Sequence, residues 1–133
     1  MVREWVKVEL QGANNSGDPR RFTCASNAAI VKGTLMAMTD PRTAIAHSSA
    51  TQPIAGIAAE GKAADDLSTT ISCWTNGIFE ASASGAIVVG HPIESAAITN
   101  SIQEATTTSG ALVCGYAMET AAEGEVINVR IRL

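Results

Sequence analysis

The residues that could do chemistry in this 133-residue chain are few and widely spaced. His47 and His91 are the only histidines, and both stand in segments typical of turns, Ala46-His47-Ser48 and Gly90-His91-Pro92. The G-x-S-x-G, G-x-x-x-x-G-K-[ST] and H-E-x-x-H patterns are all absent from the sequence. We therefore expect both histidines to be solvated turn residues. A small hydrolase that pairs a serine with either histidine is the least favoured function.

Candidate metal ligands are equally sparse. Asp65 and Asp66 are adjacent, but the segment around them lacks the ligand spacing of a calcium loop, which favours a solvated turn. The three cysteines, Cys24, Cys73 and Cys114, are far apart and form no C-x-x-C pair. We expect them to be small buried hydrophobic side chains in a reducing compartment. The sequence thus predicts neither a metal site nor a cofactor.

The charge distribution disfavours two classes of partner. The formal net charge is -4, and the longest basic run is Arg20-Arg21. Because a phosphate-binding face needs clustered Lys and Arg, we expect no direct contact with nucleic acid. No apolar stretch approaches the length of a membrane span, and Met1–Leu10 lacks the apolar core of a signal peptide. We therefore expect no membrane association.

The elements that must position these residues are predicted to be β-strands. Polar and apolar residues alternate in Glu125–Leu133 and in Val2–Leu10, which indicates half-buried strands. About nine short strands separated by turn residues are typical of a barrel or sandwich. Asn76-Gly77 predicts a hairpin between Thr69–Thr75 and Ile78–Ser82. Ser95–Thr108, rich in Ser and Thr, is expected to be a long loop.

A faint internal repeat divides the body of the chain. Segments of the first half recur in the second: Phe22 as Phe79, Ile30–Gly33 as Ile87–Gly90, Ile54–Glu60 as Val113–Glu119, and Ile71 and Cys73 as Ile127 and Val129. The repeat predicts two copies of one β unit, Phe22–Thr75 and Phe79–Ile131. Each copy is too small to bury its own apolar face, so the two are expected to close on each other as one pseudo-twofold barrel.

The N-terminal segment and the two tryptophans suggest an interaction surface. Asn14–Pro19 has the composition of a flexible hinge, which predicts an arm and hinge over residues 1–19 and a β-barrel domain over 20–133. Trp5 shares a strand face with charged residues, so it either packs half-buried on the barrel or anchors an interface. Trp74 has the opposite parity to Ile71 and Cys73, which is compatible with an outward-facing side chain; the same two alternatives hold for it, and half-buried packing on its own barrel is favoured over an interface anchor.

Turn-and-strand segments in one fixed order cover most of Arg20–Leu133. The segments are Arg21–Ser26, Ile30–Leu35, Thr39–Arg42, Pro53–Glu60, Ser68–Ser72, Asn76–Phe79 and Glu119–Ile127. In this order they resemble the capsid cement, or head decoration, proteins of tailed bacteriophages. The resemblance implies a small β-barrel protein without an active site that adds to the outside of an expanded phage head. It also implies homotrimers that tie neighbouring capsid subunits together.

The resemblance implies a partner and a location. The partner would be the major capsid protein, and the protein would be made in the host cytoplasm and sit on the outer surface of the virion. An extended arm can pair with an exposed strand edge of the shell. The residues predicted to contact the capsid all lie in the arm: Val2, Arg3, Trp5, Val6, Lys7, Val8 and Leu10. The alternative function is a β-barrel binding module for a small molecule or carbohydrate, which the scarcity of aromatic residues disfavours.

Overall fold

The computed structural model describes residues 4–10, 19–39, 42–105 and 113–133, and every regular element in those ranges is a β-strand. No helix of membrane-spanning length and hydrophobicity is found among these residues. The strands are β1 (Val6–Leu10), β2 (Arg20–Thr23), β3 (Leu35–Thr39), β4 (Thr43–Ala46), β5 (Ile54–Ala58), β6 (Thr70–Trp74), β7 (Asn76–Ala83), β8 (Pro92–Ser95), β9 (Ser101–Glu104), β10 (Gly115–Ala117) and β11 (Val126–Arg132). The all-β prediction is confirmed.

The first half of the body forms a closed five-stranded barrel in the order β2-β4-β3-β5-β6. Neighbouring strands are antiparallel except β2 and β4, which meet in a parallel pair at Thr23 and Thr43 and so help close the barrel. Its interior is filled by small and medium apolar side chains, with Met36, Ile71 and Cys73 fully buried. Closure leaves few free strand edges in this short-stranded unit.

The second half repeats the same topology with β7-β9-β8-β10-β11. Here too a parallel pair, Ser82 with Ser101, joins the first strand to the third and helps close the barrel. Outside the strands, the bridge between Ile30 and Lys62 in the first half has its counterpart between Ile87 and Ala121. The internal duplication is therefore real. Each copy closes its own barrel, however, whereas one barrel shared by the two copies was expected.

The two copies also differ in alignment at their first strand. Phe22 lies opposite Ile71, whereas the residue opposite Ile127 is Ala81. Ala81, and not Phe79, is thus the structural counterpart of Phe22. The shift arises because the segment between the first strand and the isolated bridge is two residues shorter in the second copy. This segment runs from Phe22 to Ile30 in the first copy and from Ala81 to Ile87 in the second.

The chain connection between the barrels was predicted wrongly. β6 and β7 belong to different barrels and do not pair, so Asn76-Gly77 is not a hairpin turn. Gly77 instead has a φ of 155° and lies within β7 beside β1. Ser95–Thr108 is also not a continuous loop, because it contains β9, whose Ile102 is fully buried. Pairing of β9 with β8 and β7 stabilises this strand, and local composition does not encode such distant partners.

One hydrophobic core joins the barrels. Leu35, Ile57 and Trp74 from the first barrel pack in the same cluster as Phe79 and Ile131 from the second. The barrels are therefore held by a shared apolar interface of the kind that stabilises a domain interior. The N-terminal strand β1 packs at this junction.

Candidate functional site

His47 is a buried link between the barrels, not the solvated turn residue expected. Its side chain is 1% exposed at the end of the first barrel. Its Nδ1 accepts a hydrogen bond from the backbone N–H of Asn100 at 3.0 Å, so Nε2 carries the proton and donates to the Ala96 carbonyl at 2.7 Å. Both partners are backbone groups of the β8–β9 turn. The burial comes from this turn of the other barrel, which is distant in sequence and closes over the ring.

His91 is exposed, as expected for a turn residue. Its Nδ1 lies 2.9 Å from Oε1 of Glu104, and the other carboxylate oxygen accepts the backbone N–H of Val88. The hydrogen bond from His91 is the main cause that lowers the pKa of Glu104, and the backbone hydrogen bond adds to it. In the described part of the chain, no serine hydroxyl is hydrogen-bonded to either histidine. The pair of His91 and Glu104 therefore links the residue before β8 to the end of β9.

All three cysteines are free thiols and buried, as predicted. Burial raises the pKa of Cys73 to about 12 and that of Cys114 to about 12, so both stay protonated at neutral pH. Asp66 accepts the backbone N–H of Ser68 through its carboxylate, as a turn residue does. Within residues 4–10, 19–39, 42–105 and 113–133, no group of His, Cys, Asp and Glu is placed to hold a metal ion.

Trp5 fixes the N-terminal strand to both barrels. Its side chain is only 3% exposed and its ring meets Phe79 edge to face, with centroids 6.2 Å apart. Its backbone N–H donates to the Gly33 carbonyl at 2.9 Å, and its indole N–H donates to the Asn100 carbonyl at 3.1 Å. Leu10, at the other end of β1, is also buried. These two residues, predicted as capsid contacts, thus lie inside the core.

Asn100 is the residue of this junction that sequence reasoning missed. It is buried and has a φ of 65°, a left-handed conformation that Asn adopts more readily than most residues. Its side-chain oxygen accepts the Leu35 N–H, and its side-chain amide donates to the Gly33 carbonyl. A turn of the second barrel is thereby joined to the first barrel and to the arm. An Asn at a turn was the only local signal, and it does not reveal these partners.

Trp74 lies on the opposite face of β6 from the barrel-interior residues Ile71 and Cys73, as its parity indicated, but it is buried. It is 8% exposed because the second barrel covers it, and its ring packs on Phe79 at a centroid distance of 5.9 Å. The ammonium groups of Lys7 and Lys32 lie over the same ring, 5.4 Å and 5.8 Å from its centroid. A lysine of β1 and a lysine of a first-barrel turn therefore converge on one indole.

Among residues 4–10 of the arm, Glu4, Val6, Lys7, Val8 and Glu9 are exposed, and three of these were predicted as capsid contacts: Val6, Lys7 and Val8. The two valine side chains are 45% and 51% exposed. β1 pairs antiparallel with β7, with a register shift between Lys7 and Glu9, and it is the edge strand of its sheet. Val2, Arg3 and most of the predicted hinge Asn14–Pro19 lie outside the described residues. The arm thus presents a sheet edge with two exposed valines.

A groove of about 340 Å³ adjoins this edge. It is lined by Glu4, Trp5, Val6, Lys7, Lys32 and Trp74. A further open groove of about 410 Å³ lies beside Pro92, Tyr116 and Arg132 on the second barrel. The barrel interiors themselves are filled by side chains such as Met36 and Phe79. This filling counts against a barrel that holds a small molecule in its lumen.

A family model for phage cement proteins matches residues 15–133, a range that includes both barrels. The chain belongs to the phage cement protein family. This cement protein is thus a structural component of the phage capsid. The match begins at residue 15, so β1 and most of the groove beside it lie outside the matched range.

The fold of this cement protein is also found in a solved phage structure. The chain is similar to the N base of the head fiber gp8.5 of bacteriophage phi29, with 21% identity and a TM-score of 0.55. The likeness covers 85% of this chain and 93% of that chain. At this identity it shows a shared fold. Comparison with curated proteins gives no match.

Proposed function

We propose that this cement protein binds the outer surface of the expanded phage head and stabilises contacts between neighbouring major capsid subunits. The observation that carries the proposal is the exposed edge strand β1, which is paired with β7 of the body of this cement protein. Family membership supplies the capsid context. Val6, Lys7 and Val8 are the proposed contacts within the described residues, and Val2 and Arg3 are proposed to continue the same surface.

The attachment of β1 suits it to strand pairing with the shell. Trp5 and Leu10 bury their side chains at its two ends, so the strand is already extended before it meets a partner. A strand that is ordered in advance loses less conformational entropy on binding. A shell segment added to the edge would gain main-chain hydrogen bonds, and Val6 and Val8 would add apolar contact. In this proposal Trp5 and Leu10 position the contact surface and do not form it.

Stabilisation of the head follows from mass action. A ligand that binds only the assembled lattice shifts the equilibrium toward that lattice. We propose that the protein acts as a homotrimer, because linked copies bind a repeating surface with greater avidity. Synthesis in the host cytoplasm would precede addition to the finished head. Light scattering over a concentration series tests whether trimers exist free in solution.

The proposal is tested by mixing purified protein with undecorated expanded heads. We expect saturable binding and an increase in the temperature at which the heads disrupt. Absence of both effects would contradict the proposed function. To place the contact on β1, the double variant Val6→Asp, Val8→Asp introduces charge at the sheet edge, which opposes strand addition. We expect its affinity to fall by at least ~10-fold, corresponding to about 1.4 kcal/mol.

The matched control is Val88→Asp, an equally exposed valine on a turn of the second barrel. It introduces the same side chain at a position away from β1. We expect it to bind heads like the unmodified protein. If Val88→Asp loses binding and the β1 variant does not, the contact lies on the second barrel and the assignment to β1 is wrong.

A further inference from the structure

We infer that the groove beside β1 binds carboxylate side chains of an extended acidic segment of the shell protein, with Lys7 and Lys32 as the recognising groups. The inference rests on the proposed function, since it specifies the chemistry of the surface that β1 meets. It is carried by three observations: two converging ammonium groups, an aromatic floor and an adjoining sheet edge.

The ammonium groups of two lysines converge on the ring of Trp74. One side of the indole packs on Phe79 within the shared core. The ammonium groups of Lys7 and Lys32 approach the ring at 5.4 Å and 5.8 Å from its centroid. Both lysines and Trp74 line the groove. β1 supplies one of the lysines and the turn before β3 supplies the other.

This arrangement leaves positive charge for a partner to neutralise. In the described part of the chain, neither ammonium forms an ion pair with a carboxylate. The indole attracts each cation, but two like charges near one ring still repel each other. A carboxylate entering the groove would interact favourably with both. Glu4 also lines the groove and carries the opposite charge, so it weakens the site for an anion.

The adjoining sheet edge selects an extended segment over other acidic ligands. Val6 and Lys7 line the groove and also belong to the edge strand β1. A chain paired with this edge would run past the groove. Because side chains of a strand alternate between faces, every second residue of the added segment would point toward the lysines. The preferred partner therefore has Asp or Glu at alternate positions and apolar residues between them.

The first test measures binding to expanded heads at low ionic strength. We expect Lys7→Gln and Lys32→Gln each to weaken binding by about 3- to 10-fold, with the loss shrinking as salt is raised. Lys7→Arg should keep the affinity, and Glu4→Gln should increase it. Arg42→Gln removes an exposed positive charge outside the groove and serves as the matched control. Equal binding by all variants, or an equal loss in Arg42→Gln, would overturn the inference.

The second test does not use heads. A blocked peptide of alternating Val and Glu is titrated while tryptophan fluorescence is recorded, since Trp5 and Trp74 both line the groove. We expect saturation with the Glu peptide, a shift of at least ~10-fold to higher concentration with a Gln counterpart, and loss of the signal in the Lys7→Gln, Lys32→Gln double variant. Thermal unfolding of each variant checks that the fold is retained.

The two tests separate the two claims. If heads bind the unmodified protein but neither lysine nor peptide charge matters, the groove inference fails and the proposed function stands. If heads do not bind while the Glu peptide binds through both lysines, the proposed function fails and the groove remains a site for acidic extended chains. If neither heads nor peptide bind, both claims are overturned.

Discussion

At the scale of single residues, polar groups buried between the barrels fix how the two halves meet. His47 and Asn100 are both buried, and the hydrogen bonds between them and their neighbours join the first barrel, the second barrel and β1. Such groups stabilise a structure only while every partner is in place, because an unpaired polar group away from water is costly. The same bonds that specify the junction therefore make it sensitive to substitution.

The first residue-scale prediction concerns His47→Leu. This change removes the two hydrogen bonds that the buried imidazole makes with the Asn100 N–H and the Ala96 carbonyl. We expect the free energy of unfolding to fall by about 2–4 kcal/mol, measured by urea denaturation. The control His91→Leu removes an exposed histidine and should cost less than about 1 kcal/mol. Equal losses in the two variants would contradict the structural role of His47.

The second residue-scale prediction concerns Glu104, whose pKa is lowered in the folded protein, first by the hydrogen bond from His91. A carboxylate with a lowered folded-state pKa adds stability above its unfolded-state pKa, and this contribution disappears as pH falls through the folded-state value. We therefore expect Glu104→Gln to be less stable than the unmodified protein near neutral pH, with the difference vanishing in acid. Thermal melts across pH measure it. A difference that persists at low pH would show that the carboxylate charge is not the cause.

At the scale of elements, the attachment of β1 depends on a close approach to β7. Leu10 pairs with Gly77, and a Cβ added at Gly77 would lie 2.6 Å from the Glu9 carbonyl oxygen and 3.2 Å from the Leu10 Cα. Those atoms belong to the backbone and cannot rotate away. Only glycine therefore allows the two strands to pair at this point. The attachment of β1 depends on the absence of a side chain at Gly77.

The element-scale prediction is that Gly77→Ala detaches β1. We expect trypsin to cleave after Lys7 at least ~10-fold faster under native conditions, because the local opening free energy falls by about 1.4 kcal/mol or more. Gly85→Ala is the matched control, since Gly85 also has a positive φ but no atom near the position of an added Cβ. It introduces backbone strain without touching β1. Unchanged cleavage after Lys7 in Gly77→Ala would refute the proposed attachment.

At the scale of the whole molecule, two barrels of identical topology share one core. Each barrel has interior residues of its own, but the cluster around Trp5, Trp74 and Phe79 contains side chains from both. Opening one barrel would expose apolar surface of the other, which couples their unfolding. A body that resists deformation as a unit suits a protein proposed to hold neighbouring capsid subunits together.

The whole-molecule prediction is a single cooperative unfolding transition. We expect tryptophan fluorescence, which reports on the junction, and far-ultraviolet circular dichroism, which reports on both barrels, to give the same urea midpoint. Met36→Ala, a change confined to the first barrel's core, should lower both midpoints together and cost about 2–5 kcal/mol. Separate midpoints would show that the barrels unfold independently.

Features set by local chemistry could be predicted from the sequence alone. Alternation in Glu125–Leu133 predicted β11, and the repeat aligned on Gly56 and Gly115 predicted two copies of one unit, since both signals reside in neighbouring residues. The ordered segments across Arg20–Leu133 also indicated the cement protein family, which the family match confirms. Burial of the three cysteines followed from their small apolar character.

Only the tertiary structure decided the features that depend on distant partners. Closure of each copy depends on parallel pairs such as Thr23 with Thr43, and no local pattern specifies them. His47 and Trp74 are buried because the other barrel covers them. Lys7 and Lys32 meet over Trp74, although these residues are far apart in sequence, because β1 pairs with β7 at the junction of the barrels. Long-range packing sets which side chains are covered and which converge, and periodicity reports only the faces of a single strand.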